Sequence, residues 1–592
     1  MRMQLSPQAE ERLGQSELVL ITERVDDVAL LIGQMITMGL PEVLDRHIPR
    51  HWKQRGLSWG WTAVMWLAHI LTEGDHRKVA VEVYSKGMHH TLSRLTAHVI
   101  QPLDCSDDRL SHLLTHVSKP TYWHQIERDL NARSIEVHAL PQAVIRCDAT
   151  TVSGAHAVTA EGLLQFGHSK DDPTRPQIKV MMGSLDPLGM PLATDVLSGE
   201  RADDGLYLAL MERIRPSVKT TGLLFVGDCK MSALETRAAI AGHHAWYLSP
   251  LPLTGATAAA MDAWISAGVA RSERHELVRL FRTNDRGHEA LAAEGYEFAR
   301  TCCAKGRHEG WTERVMVVRS PLHANHQAAG LDTRLCHAET ALAALTPPRG
   351  RGKRQITDEA TLLEAIDLVL KAHRVEGLLS VAWEKQVERQ TRSLGRGRGS
   401  ASRQQRVSEQ TRYQITHIAR EDDQIAGLRQ RYGWKAFVTN ARPTQLSLEA
   451  AVLCYRNEYR VERVFNRLKS RLQIAPLFVK LNDQIEGLTY LLTLGVRVFT
   501  VTEFVLRRSL EQEQATLPGL HPENKRKMTA TPTAERLLQA FTGVSLTIIQ
   551  SAAGEEILRR ITPLSGVQEA ILHRLGLGTD LYRQLEIQNM GS

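Results

Sequence analysis

Three carboxylates carry the chemistry that this sequence can do. AVIRCD (143–148) and GLLFVGD (222–228) are short apolar runs, and each ends in an aspartate, Asp148 and Asp228. CYRNEYRVERVFNRLKSRL (454–472) has helical periodicity and carries Glu462. An aspartate at a strand end commonly does no more than cap the next turn. Two on adjacent strands, joined by a glutamate from a helix packed on the same sheet, are a different matter. They are hard oxygen donors with no cysteine or histidine frame, which suits Mg²⁺ or Mn²⁺ rather than zinc. Two such ions, bridged by shared carboxylates, support in-line attack on a phosphodiester.

The elements that must position these acids can be read from pattern. Strands are expected at AVIRCD, IKVMMGSLD (178–186), MPLATDVL (190–197), GLLFVGD and HAWYLSPL (244–251), with DPLG as a turn. ADDGLYLALMERI (202–214) and SALETRAAIAG (232–242) read as helices. In the order strand, strand, strand, helix, strand, helix, strand, the first and fourth strands lie side by side, and their aspartates meet at one sheet end. On a helix, Val461, Val464, Phe465, Leu468 and Leu472 form one apolar stripe. Arg456, Arg460, Arg463, Arg467 and Arg471 line one edge of the stripe. Tyr455, Glu458, Glu462 and Lys469 line the other. The plain reading of both edges is a solvated charged flank. Cys147 alternates to the opposite side of its strand from Asp148 and is expected to pack in the core. The loop FGHSKDD (166–172) reads equally as a solvated turn or as a support for the site.

The chain has 592 residues and a formal net charge of +7, a moderately basic balance that suits a phosphate-bearing partner. Its seven cysteines form no paired CxxC spacing, which points to reduced thiols in a cytosol. The first residues lack the apolar middle of a signal peptide. LTYLLTLGVRVFTVTEFVL (488–506) includes Arg497 and Glu503 and reads as a buried helix rather than a membrane span. No Gly-rich nucleotide loop occurs. Residues 1–135 read as a separate helical domain, for which DNA binding is the functional version, with Trp59, Trp61 and Trp66 in its core. The Gly/Ser/Arg tract 392–406 cannot build a core and reads as a solvated loop or a cationic strap for nucleic acid.

Asp148 on the first strand, Asp228 after the fourth and Glu462 on a late helix resemble the RNase H-like core of DDE transposases. Around Glu462 the sequence resembles the signature of the large "IS-four" superfamily of insertion-sequence transposases: Tyr, two residues, Arg, three residues, Glu, six residues, Lys. Tyr455, Glu462 and Lys469 match. Glu458 stands at the arginine position, with Arg456 nearby as a substitute. GHSKDDPTRPQIKVMM, NRLKSRLQIAPLF and TPTAERLLQAF resemble the long-transposase branch.

The resemblance implies an α/β fold: an RNase H-like mixed sheet flanked by helices, with a largely β insertion domain and helical terminal regions. The expected boundaries are 1–135 for the N-terminal domain, 136–250 and 441–510 for the two parts of the core, 251–440 for the insertion and 511–592 for a helical C-terminal region. It implies a bacterial, cytoplasmic, nucleoid-associated enzyme that cuts transposon ends and joins them to target DNA. Asp148, Asp228 and Glu462 would hold the ions, and the protein would work as a homo-oligomer on double-stranded terminal repeats and target, with no membrane partner. Tyr455, Arg456, Arg460, Arg463, Arg467, Lys469 and Arg471 would face DNA. Relatives stack a flipped base on an aromatic residue of the insertion. Trp311 is the candidate here, with covering of a small core as its plain alternative, while Trp383 is expected to pack. An RNase H-fold nuclease without joining activity and an inactive DNA-binding copy are the other readings.

Overall fold

The computed structural model describes residues 18–586, apart from 169–171, 203–204, 219, 221, 284–288, 305–309, 351, 394–404, 458, 522 and 525–526. The chain divides into two compact units. One holds Met1–Ser249, Cys303–Trp311 and Leu453–Ser592, and the other holds Pro250–Cys302 and Thr312–Val452.

The first unit begins with β1 (Leu18–Arg24) and seven helices: α1 (Val28–Thr37), α2 (Leu40–His47), α3 (Trp59–Glu73), α4 (Lys78–Gly87), α5 (His89–Thr96), α6 (Asp107–Val117) and α7 (Pro120–Val137). The sheet elements follow: β2 (Val144–Ser153), β3 (Gln177–Asp186), β4 (Met190–Ser198), α8 (Leu206–Ile214), β5 (Leu224–Gly227), α9 (Leu234–Gly242) and β6 (Trp246–Pro250). All five expected strands form. Their spatial order is β4-β3-β2-β5-β6, with β3 antiparallel to β2 and β4, and β2, β5 and β6 parallel. This is the order that an RNase H-like core requires. β3 is buried at all but its last residue, as expected for a strand covered on both faces.

The second unit takes up the chain with α10 (Gly255–Glu273), β7 (Val278–Thr283), β8 (Glu289–Cys302) and β9 (Trp311–Arg319, whose first residue belongs to the first unit). It continues with α11 (Pro321–Leu345), α12 (Glu359–His373), β10 (Leu379–Ser393), β11 (Gln405–Arg420), α13 (Asp422–Gln430) and β12 (Trp434–Thr439). β12, β9, β8 and β7 lie in that order, and β10 pairs with β11 as a long two-stranded ribbon. The insertion was expected to be largely β, but helices make up a comparable share. Leu331, Leu335 and Leu342 of α11 and Leu362 and Ile366 of α12 form its core. Trp383 packs against that core from a strand rather than a helix. The described ends of tract 392–406 lie in the ribbon. Its ends pair Arg392 with Arg406 and Ser393 with Gln405, and 394–404 lie outside the described residues.

The chain returns to the first unit in α14 (Leu448–Arg456), then runs through α15 (Tyr459–Asn466), a π turn (Arg467–Arg471), α16 (Asn482–Gln512), α17 (Ala534–Gln539), β13 (Ser545–Ser551), β14 (Glu556–Ile561) and α18 (Gly566–Arg574). The C-terminal region is therefore not purely helical. β13 pairs antiparallel with both β1 and β14, tying the two ends of the chain together. The N-terminal helices, expected as a module of their own, belong to this unit. Trp123 of α7 stacks on Tyr490 of α16 with ring centres 4.4 Å apart. A Cβ on Gly487 would meet the Leu114 carbonyl at 2.2 Å, so only glycine allows α16 this close to α6. α16 is long and apolar enough to cross a membrane, but its most apolar window is 89% buried inside the protein. The fully buried Arg497 donates to Asn131 Oδ1 (2.6 Å) and the Pro191 carbonyl (2.7 Å), joining α16 to α7 and the sheet.

Candidate active site

Strand register brings the two aspartates together. β2 and β5 run parallel, with Cys147 opposite Gly227, the last residue of β5; the next residues along the chain are Asp148, still within β2, and Asp228, just past the end of β5. Gly227 makes the close approach possible: a Cβ there would meet Met231 Sδ at 2.7 Å and the Cys147 carbonyl at 3.1 Å. Both aspartates are half-buried. The Ala149 N–H donates to Asp148 Oδ1 at 2.7 Å. The Lys230 N–H (2.9 Å) and the Tyr207 hydroxyl (2.7 Å) donate to Asp228 Oδ1, which fixes that carboxylate in its turn.

Tyr207 is a site residue that sequence reasoning missed. It lies buried on α8. Its pKa is pushed far above the usual tyrosine range, first by burial and then by the charge of Asp228, its hydrogen bond to Asp228 and the charge of Asp148. The hydroxyl thus stays a neutral donor and sits in the field of both acids. The only signal for it in the sequence was its place in the helix between the third and fourth strands. Cys147 faces the core as expected, and burial pushes its thiol far up, so it remains protonated.

Glu462 is exposed in the first turn of α15, and α15 packs against β2. The expected apolar stripe holds: Val461, Val464, Phe465, Leu468 and Leu472 are all buried. Arg146 shares the Asp148 face of β2, since side chains two apart on a strand point the same way. It donates to the Cys454 carbonyl (2.5 Å) and pairs with Asp186 (3.1 Å). Arg146 therefore anchors the end of α14, just before the Glu462 helix, from the same strand face that carries Asp148. Residues 454–472 do not form the single helix that periodicity predicts: the Cys454 carbonyl accepts from Arg146 and from the Asn457 N–H (3.2 Å), and Asn457 is a turn between α14 and α15. Among the described residues, no three His, Cys, Asp or Glu are grouped closely enough to hold a metal ion. The aspartates are in register, and Glu462 is on the neighbouring helix.

The arginine edge differs most from expectation. Arg467 is buried and donates to Glu503 (2.5 Å) and Glu535 (2.9 Å). Arg463 (2.6 Å) and Arg507 (2.9 Å) also pair with Glu503, and the Ala534 N–H adds a bond at 3.1 Å. Burial opposes the charge of Arg467, but Glu503 and Glu535 outweigh it and hold its pKa above the usual range. Arg471 donates to the Leu71 carbonyl (3.0 Å) and lies beside the Phe499 ring. Arg467 thus faces the interior of its unit, not DNA, while Arg471 is half-buried. The reason is tertiary: α16 presents Glu503 to this edge. Arg463 is partly exposed, while Tyr455, Arg456 and Lys469 are half-buried. Glu458 and the side chain of Arg460 lie outside the described residues, as do Lys170 and Asp171. Trp311 is half-buried, and its indole N–H donates to the hydroxyl of the buried Tyr247 (2.8 Å), a contact that suits the packing alternative.

The family model described as "Transposase DDE domain" matches residues 141–494, more than half of the chain and the span that carries all three acids. No curated protein sequence matches. Among solved structures, a cryo-EM structure of the piggyBac transposase synaptic complex with hairpin DNA is similar over 95% of this chain and 86% of that chain, at 7% identity and a TM-score of 0.33.

Proposed function

The chain belongs to the family of transposases with a DDE domain, and we propose that it is the cut-and-paste transposase of a bacterial insertion sequence of the "IS-four" type, acting on DNA in the cytoplasm. Its substrates are the element's double-stranded terminal repeats and a target duplex, and it works as a homo-oligomer that holds two ends. The observation that carries this reading is the register of β2 and β5, which sets Asp148 beside Asp228, with the Glu462 helix packed on the same strand.

The donor set is carboxylate oxygen throughout, which fits Mg²⁺ or Mn²⁺ and not a thiolate-seeking metal. Asp148, Asp228 and Glu462 are the residues that would hold two such ions. When bound, the ions supply Lewis-acid stabilisation of the charge that builds up at the attacked phosphodiester. The rest is done by the chain. Tyr207 and the Lys230 N–H hold Asp228 in one orientation. Arg146 positions the end of α14, ahead of the helix from which Glu462 would act with the two aspartates. Tyr455, Arg456 and Lys469 contact phosphates near the cut. Arg460 is retained in that set as part of the arginine edge read from the sequence, and Trp311 as a base-stacking candidate.

The test is to incubate the protein with a labelled end of its element, a plasmid and Mg²⁺. Joined products are expected. Cleavage without joining would identify a nuclease, and binding without either reaction an inactive copy.

A further inference from the structure

The most exposed aromatic side chain of the N-terminal helices does not belong to the site described above. The loop between α2 and α3 reads PRHWKQRG (49–56). Trp52 at its centre is 83% exposed. Arg50, His51, Lys53 and Arg55 around it are exposed as well, and the loop contains no acid. Lys53 Nζ lies 4.9 Å from the centre of the Trp52 ring, and the His51 ring centre lies 5.9 Å from it.

The loop is held firmly at its base. Buried Asp104 accepts the N–H groups of Leu57 (2.8 Å) and Gln101 (2.7 Å). Arg109 donates to the Arg55 carbonyl (3.0 Å) and to the Leu57 carbonyl. Arg50 curls the crown by donating to the carbonyls of Gln54 (3.0 Å) and Gly56 (2.9 Å). Of the acids beside the loop, Asp104 at its base lies 3.6 Å from Arg109, and Asp45 accepts from the Ser58 hydroxyl (2.6 Å) and the Gly60 N–H (2.7 Å), so the exposed Arg50, Lys53 and Arg55 leave the crown with a positive excess. An open pocket of about 630 Å³ adjoins the loop, lined by Arg50, Arg55, Trp61, His98 and Val99.

A large aromatic ring left in water, on a rigid pedestal ringed by cations, is costly unless a flat apolar partner carrying negative charge covers it. An unpaired nucleotide has both parts: a base with a π-face, and a phosphate. We propose that the loop 49–56 is a DNA-contact element in which Trp52 stacks on an unpaired base while Lys53 and Arg55 meet the flanking phosphates. The proposal rests on the transposase reading and adds to it a single-strand contact remote in sequence from the three acids. Strand cutting generates such unpaired nucleotides.

The test compares affinities by fluorescence anisotropy. The probes are a short labelled duplex with a single-stranded thymidine overhang and the same duplex blunt-ended. Wild type is expected to prefer the overhang. Trp52→Ala should lose roughly 5- to 150-fold on the overhang, the range set by one base–aromatic stack, and little on the blunt duplex. Trp52→Phe should keep most of the preference. Lys53→Gln with Arg55→Gln should weaken both probes and flatten the salt dependence by about 0.7 to 0.9 log units per lost phosphate contact. Trp52 is exposed, so its replacement does not threaten folding. If Trp52→Ala binds both probes as wild type does, or instead loses affinity for phosphatidylserine vesicles alone, the proposal is wrong. Joining by wild type in the Mg²⁺ assay would leave the transposase reading standing in that case. If wild type neither binds nor cuts DNA, both fall together.

Discussion

Two concentrations of charge lie in the first unit, and they are built in opposite ways. In the middle of β2 and just after β5, two carboxylates are set side by side, and Asp228 is oriented by a neutral hydroxyl and a backbone N–H. At Glu503, one carboxylate is surrounded by Arg463, Arg467 and Arg507. The first arrangement keeps negative charge available to an incoming cation. The second uses up its charge inside the protein and joins α15 and the π turn to α16 and α17. Charge density along a sequence does not distinguish the two. What decides is the partner that the fold brings up.

The contrast can be broken most severely at the aspartates. Asp148→Asn and Asp228→Asn should each reduce cleavage and joining to background while leaving the folded protein and its DNA affinity intact, because phosphate contacts come from basic side chains. Glu503→Gln should do the reverse. It leaves Arg463, Arg467 and Arg507 around a neutral amide, with Glu535 still paired to the buried Arg467, and urea unfolding should show a loss of about 3 kcal/mol. The affinity of the folded fraction for DNA, and its salt slope, should not change. A flattened slope in an Arg467 variant that remains folded would return this arginine to the DNA face.

This pair of regions also marks what could be read without a structure. The strands around Asp148 and Asp228 were legible as apolar runs carrying an acid, and the order of strands and helices fixes which of them are neighbours, but β2 was expected to stop at Asp148 and instead runs on to Ser153, paired with β3. The buried stripe from Val461 to Leu472 was legible from periodicity. The roles of Arg467 and Arg471 were not, because Glu503 and Leu71 are far away in sequence. β1 and β13 could not be paired from pattern, being separated by almost the whole chain. The ribbon β10–β11 was missed because most of its residues are exposed and polar, so neither strand shows an apolar face.

Smaller effects sharpen the contrast. Tyr207→Phe preserves volume and removes one donor to Asp228. A hydrogen bond to a charged group contributes about 1.5–3 kcal/mol, so a loss of roughly 10- to 150-fold in cleavage rate or in metal affinity is expected, with stability little changed. A normal rate would make Tyr207 a packing residue only. Asp27 tests the intermediate case of a buried acid, at a cavity of about 340 Å³ that Arg24 and Arg471 also line. Burial, partly offset by the Thr72 hydroxyl, raises its pKa from 3.8 to about 6. The folded state therefore holds this proton more tightly than the unfolded chain does. The resulting stability is fully present below about pH 4 and is lost as pH rises through about 6. Asp27→Asn should gain on wild type in thermal stability across that window. A pH-independent difference would contradict the assignment.

The central claim is that Asp148, Asp228 and Glu462 serve one metal-binding function although only the two aspartates are in strand register. Mn²⁺ binding measured by calorimetry, with a short DNA duplex present, tests it without relying on turnover. Wild type should bind, and Asp148→Asn, Asp228→Asn and Glu462→Gln should each weaken binding substantially, the glutamate no less than the aspartates. Undiminished binding by Glu462→Gln would contradict the account and leave Glu462 as an exposed residue on the surface of α15.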